Sequence, residues 1–223
     1  MRYIYYPSCN FQRMFPETAG KIRNYLNTQP DVVIAGCCHR TADLPEEGDV
    51  IVTVCMSCMH ILEEVRPDIR GISLPEFLLS REDFAWPDLS GEQIVVQDCF
   101  RARGYHALQD AVRECLRKMN AEIIELPENR DETLYDGAFL FREPFPQNVK
   151  EAPKYYRDYL PAYLTVLPQE QWSERIRTYA ETIPEGHRIA GYCNTCVKSL
   201  KDAGADALHL MEFAFRNTGS DQE

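Results

Sequence analysis

An internal repeat built around cysteines limits how this chain can fold. The β-rich run Arg2–Tyr6 ends in Pro7-Ser8-Cys9, and the run Ile94–Val96 ends in Gln97-Asp98-Cys99. A stretch with helical spacing follows each, Met14–Leu26 in one half and Tyr105–Met119 in the other. Further on, Val50–Val54 leads into Cys55-Met56-Ser57-Cys58 and the helix-like Met59–Val65. Its counterpart is Arg188–Tyr192, then Cys193-Asn194-Thr195-Cys196, then Val197–Ala203. Both copies regain a short apolar run and close on similar words, Leu74-Pro75-Glu76-Phe77 and Leu210-Met211-Glu212-Phe213. Four matched features in one order are hard to attribute to chance.

Short apolar strands alternating with helical segments imply βα units. The expected fold is therefore α/β, with two pseudo-symmetric halves, each a small, mainly parallel sheet flanked by helices. The halves are drawn at residues 1–90 and 91–223. In such sheets functional groups gather where strands end and helices begin. Cys9, Cys37, Cys55 and Cys99 all fall at predicted strand ends, the first three after RYIYY, DVVIA and VIVTV. Separate strand ends can converge on one point, as a shared site requires.

A CxxC pair sets two thiolates on one turn, often at a helix N-terminus where backbone N–H groups favour negative sulfur. Zinc, iron–sulfur and thioredoxin-like redox sites all use it. A redox dithiol needs no further cysteine, yet Cys9 and the adjacent pair Cys37-Cys38 accompany Cys55 and Cys58. Neighbouring thiolates diverge, so they serve an extended target holding several irons better than a single tetrahedral ion. Five thiolates also exceed the four that zinc or an ordinary cubane takes. Thiolate affinity is high for both metals, and zinc stays open as the alternative in either half.

The second set is smaller. Cys99, Cys193 and Cys196 align with the first half, but Leu134-Tyr135-Asp136-Gly137 stands where a cysteine pair is expected. Three thiolates plus Asp136 form a candidate site for zinc or a smaller cluster. Cys115, mid-helix in AVRECLRKM, reads as a buried structural thiol.

These residues resemble the CCG-domain, or cysteine-rich domain, family, best known from heterodisulfide reductase. The family pattern is a cysteine, a Cys-Cys-Gly and a CxxC, usually present twice. The first copy here reads Cys9, Gly36-Cys37-Cys38-His39 and Cys55-Met56-Ser57-Cys58. The second reads Asp98-Cys99-Phe100, Tyr135-Asp136-Gly137 and Cys193-Asn194-Thr195-Cys196. Val95 through Pro127 is similar to the family as well. Three departures stand out. His39 replaces the first glycine, only 16 residues separate Cys38 from Cys55, and the second copy lacks both adjacent cysteines.

The resemblance implies a noncubane [4Fe–4S] cluster held by Cys9, Cys37, Cys38, Cys55 and Cys58, with the main cluster in the first half. It implies an oxidoreductase component of a larger complex that takes electrons from an iron–sulfur or flavoprotein partner and passes them to a small disulfide or thiol substrate. With one complete motif, chemistry between two facing clusters is not implied. The rival readings are an electron-transfer component without a substrate of its own, and a zinc-binding, non-catalytic scaffold or sensor.

His39 and His60 flank the cysteines and are the candidate catalytic proton donors to a leaving thiolate. Arg101 and Arg103 lie in what reads as a solvated loop, or as an anion site. The aromatic-dense stretch Tyr155–Tyr163 has no counterpart in the first half and reads as packing against the sheet.

The net charge of −11 argues against a nucleic-acid partner. No run approaches a membrane span, and MRYIYYPSC lacks the apolar core of a signal peptide, so a cytoplasmic location is expected. Nine cysteines there point to metal or redox chemistry rather than a disulfide framework. No GxGxxG glycine signature is present, which puts any flavin or nicotinamide on another protein of the complex.

Overall fold

The computed structural model describes residues 1–216. The last seven residues of the second half, 217–223, lie outside the described residues. Two compact units form: Met1–Phe77 with Phe139–Leu167, and Leu78–Ala138 with the chain from Pro168 onward.

The first unit opens with β1 (Tyr3–Tyr6), α1 (Cys9–Met14), α2 (Pro16–Leu26) and β2 (Val32–Ile34). Next come β3 (Val50–Thr53), α3 (Met56–Val65), β4 (Arg70–Ser73) and α4 (Leu74–Leu79), whose last two residues fall to the second unit. The helical stretch expected over Met14–Leu26 is α2, and α1, which was not expected, precedes it; Pro16 has no N–H to continue α1 and instead starts α2 at its first turn. The second unit runs β5 (Gln93–Gln97), a 3-10 turn at Phe100–Ala102, α5 (His106–Lys118) and β6 (Glu122–Glu125). Residues 139–167 then return to the first unit with α6 (Pro146–Glu151) and a π-helix at Lys154–Tyr159. The second unit resumes with α7 (Gln169–Ala180), β7 (Arg188–Gly191), α8 (Asn194–Asp202), β8 (Ala207–His209) and α9 (Leu210–Ala214).

Each unit holds a four-stranded sheet, ordered β2-β1-β3-β4 in one and β6-β5-β7-β8 in the other. All six strand pairings are parallel, with Tyr5 beside Val52 in the first sheet and Val95 beside Ile189 in the second. The α/β class with two similar parallel sheets is thus the observed fold. Helices cover such sheets on both faces, so the central strands are buried without alternation: Ile4, Tyr5, Tyr6, Ile51 and Val52 in one, Ile94, Val95 and Val96 in the other. The closing words of the repeat are helix starts. Ser73 and Glu76 exchange capping bonds at α4, and His209 and Glu212 do so at α9.

In both sheets the chain leaves the first strand in one direction for the second and returns past it for the third. The crevice between β1 and β3, and that between β5 and β7, is therefore the switch point where such sheets place their sites. Among the described residues no helix is long and apolar enough to cross a membrane.

Candidate metal centres

The second unit gathers its ligands into a closed knot. Cys99 follows β5, Cys193 caps α8 after β7, and Cys196 lies one turn into α8. Asp136 arrives from the loop after β6. One ligand atom from each of Cys99, Asp136, Cys193 and Cys196 lies within 4.8 Å of every other, and all four residues are buried. The Asp136 Oδ1 accepts from three thiols, at 3.4 Å from Cys99, 3.6 Å from Cys193 and 3.7 Å from Cys196. This group can hold a metal ion.

The loop that delivers Asp136 is shaped by Gly137. Its φ of 54° is a left-handed value that glycine adopts freely. A Cβ there would stand 2.5 Å from Ser199 Oγ and 2.6 Å from the Thr195 carbonyl oxygen. The Ala138 N–H donates to Ser199 Oγ at 3.0 Å, which fastens the loop to α8.

Charge is concentrated here. Burial pushes the Asp136 carboxyl up to about 7, against the pull of Arg101. Burial likewise raises the Cys99 and Cys196 thiols well above their ordinary range. It works against Cys193 too, but bonds from Cys196 and Cys99 and the charge of Arg101 hold that thiol well below it. Arg101 is neither a solvated loop residue nor an anion site. Only 4% exposed, its guanidinium donates to both Asp136 oxygens at 2.8 to 3.1 Å and to Cys193 Sγ at 3.1 Å. Its partner lies 35 residues away, so no local pattern announces the pair.

A buried scaffold stands behind the knot. The Cys99 N–H donates to Tyr192 Oη, and Tyr192 donates to Asp98 Oδ1. Asp98 also accepts from Arg113 at 2.7 Å and from the Arg130 N–H at 2.7 Å. Cys115 is fully buried, and burial raises its thiol, as expected of a structural cysteine.

The first unit arranges its cysteines differently. Cys9 begins α1 and is exposed, Cys37 and Cys55 are half-buried, and Cys38 and Cys58 are buried. Their thiols form two strings: Cys9 bonds to Cys37, and Cys58 bonds to both Cys38 and Cys55. Burial, then the Cys9 contact, raises the Cys37 thiol. The bond from Cys58, with His39 nearby, lowers Cys38, and the bonds to Cys38 and Cys55 raise Cys58 well above its range. The Cys37-Cys38 turn is held through the Cys37 carbonyl, which accepts from the Arg40 and Thr41 N–H groups. Tyr6 at the end of β1 donates to the Thr41 carbonyl at 2.6 Å.

Of the two candidate histidines, His39 meets Glu151 through Nδ1, its side chain 23% exposed. His60 is buried, with its ring stacked on Tyr155 at 3.7 Å. Both partners come from residues 139–167, and Glu64 of α3 accepts from the Lys154 and Tyr155 N–H groups. The aromatic segment therefore sits on α3 of the first unit.

Comparison with family models, with curated proteins and with solved structures finds no match to this chain.

Proposed function

We propose that this protein is an iron–sulfur redox protein similar to the CCG-domain family, with a noncubane [4Fe–4S] cluster in its first unit and one zinc ion in its second. What carries the reading is the pairing of two cysteine groups at corresponding switch points of two like sheets, one open and all-thiol, the other closed.

For the first centre the support is the donor set. Five thiols strung out in two groups suit a target with several irons better than one ion. Bound there, the cluster would supply single electrons. Cleaving a disulfide to two thiols consumes two electrons and two protons. The electrons would come one at a time from an iron–sulfur or flavoprotein partner. His39, beside Cys38 and oriented by Glu151, is the proton donor in this reading. His60 is the alternative, placed second because its ring is buried under Tyr155.

For the second centre the support is metric. Zinc–oxygen bonds of about 2.0–2.2 Å and zinc–thiolate bonds of about 2.3 Å, at tetrahedral angles, separate oxygen from sulfur by about 3.5 Å. The three separations at Asp136 Oδ1 are 3.4, 3.6 and 3.7 Å.

The test is iron, acid-labile sulfide and zinc content of anaerobically purified protein, with EPR of the oxidised form. About four irons, four sulfides and one zinc per chain are expected, with an unusual oxidised EPR signal that disulfide addition perturbs. A cluster signal indifferent to disulfides would leave an electron-transfer protein. Zinc in both centres, with no iron after anaerobic reconstitution, would leave a scaffold or sensor.

A further inference from the structure

We propose that Arg101 is a positioning residue of the second centre, which turns Asp136 into a one-oxygen fourth ligand and halves the charge left once a divalent ion binds. The inference rests on the reading of that centre as a metal site.

Geometry separates the two carboxylate oxygens. Oδ1 faces all three sulfurs and also accepts from Arg101 Nε at 3.1 Å and Nη2 at 2.9 Å, while Oδ2 is turned away from the sulfurs and accepts from Arg101 Nε at 2.8 Å. A carboxylate whose second oxygen is held by a rigid guanidinium fork cannot swing to bind through both. The same fork reaches Cys193 Sγ at 3.1 Å and Thr195 Oγ1 at 3.4 Å, so it ties the carboxylate to the first turn of α8.

Charge gives the second reason. Three thiolates and a carboxylate carry −4, a divalent ion leaves −2, and Arg101 brings the total to −1. All five side chains are nearly fully buried, so water cannot share that charge. An uncompensated buried charge is strongly unfavourable.

The repeat supplies the third. Arg101 lies two residues past Cys99, where the first unit has the buried Phe11 two residues past Cys9. Asp136 likewise stands where the first unit has Cys38. The centre with an oxygen ligand has the cation, and the all-thiol centre has an apolar ring in its place.

The experiment titrates Zn(II) and Co(II) anaerobically into metal-free full-length protein against a chromophoric chelator. Arg101→Met and Arg101→Lys are compared with wild type, and Cys99→Ser defines the signal belonging to the first centre. Arg101→Met should weaken second-centre zinc binding by about 10–100-fold, and Arg101→Lys should recover part of that loss. Zinc-edge X-ray absorption should report three sulfurs and one short oxygen in wild type, and a lost or lengthened oxygen shell in Arg101→Met. A residue that served folding alone would leave that shell unchanged. If Arg101→Met does not fold, as thermal unfolding of the metal-free protein will tell, Arg101→Lys carries the same two readouts. Equal affinity and an unchanged oxygen shell in the variants would overturn the inference and leave the metal site standing. Wild type binding no more metal than Cys99→Ser would instead remove the metal reading of the centre.

Discussion

The two units share a strand order and set cysteines at the same strand ends, yet the side chains around those cysteines have moved in opposite directions. The first centre is half-open and all thiol, with Ser8 before its leading cysteine and Phe11 after it. The second has Asp98 and Arg101 in those places, Asp136 in place of Cys38 and Gly137 in place of His39. Each carboxylate introduced has its own guanidinium, Asp98 with Arg113 and Asp136 with Arg101. One backbone frame can thus carry a half-open string of sulfurs or a dry knot of thiols, carboxylate and guanidinium, and a handful of side chains decides which.

Emptying one centre at a time separates the two units most strongly. Cys38→Ser should abolish iron and sulfide while leaving zinc, and Cys196→Ser should do the reverse, by metal analysis. If either substitution empties both, the centres are not independent.

Next in size is the support behind each leading cysteine. Arg113→Met strands the buried Asp98 carboxylate and should destabilise the protein by about 3–5 kcal/mol in chemical denaturation. Ser8→Ala removes only a cap to the Phe11 N–H, with a loss of about 1 kcal/mol. Similar losses at both would deny the second centre its buried charged scaffold.

Smaller again is the glycine comparison. Gly137→Ala forces a Cβ into Ser199 and Thr195 at a left-handed φ and should cost about 2 kcal/mol or more, with weaker zinc binding. Gly36→Ala in the first unit meets only Thr41, its Cγ2 at 3.3 Å, and should change stability by under about 1 kcal/mol.

The smallest effect is a pH slope. His209 caps α9 where Ser73 caps α4, and burial lowers its pKa to about 4 from the usual 6.5. Between those values the unfolded chain binds the proton and the folded one does not, so stability should fall as pH drops from about 6.5 to about 4. His209→Asn should flatten that part of the denaturation profile. An unchanged slope would place its origin elsewhere.

Much of this was legible in the chain itself. Strand, cysteine and helix recur locally, and the unbroken apolar runs VIVTV and IVV report sheets buried on both faces. Asp136 could be read as a ligand from its register in the repeat. Arg101 could not, because what buries it is a carboxylate distant in sequence. Nor could the seat of Tyr155–Tyr163, since the contacts that fix it are made by Glu64 and His60, the former 91 residues from Tyr155. Pro16 did carry a signal, a helix start near the beginning of the stretch read as Met14–Leu26.

The return of residues 139–167 to the first unit has a consequence for synthesis. Glu151 and Tyr155, the partners of the first centre's histidines, are not yet made when Phe77 leaves the ribosome. At about 5–20 residues per second, the ninety residues from 78 to 167 take roughly 5–18 s. For that interval the nascent first unit presents its cysteines without its last segment.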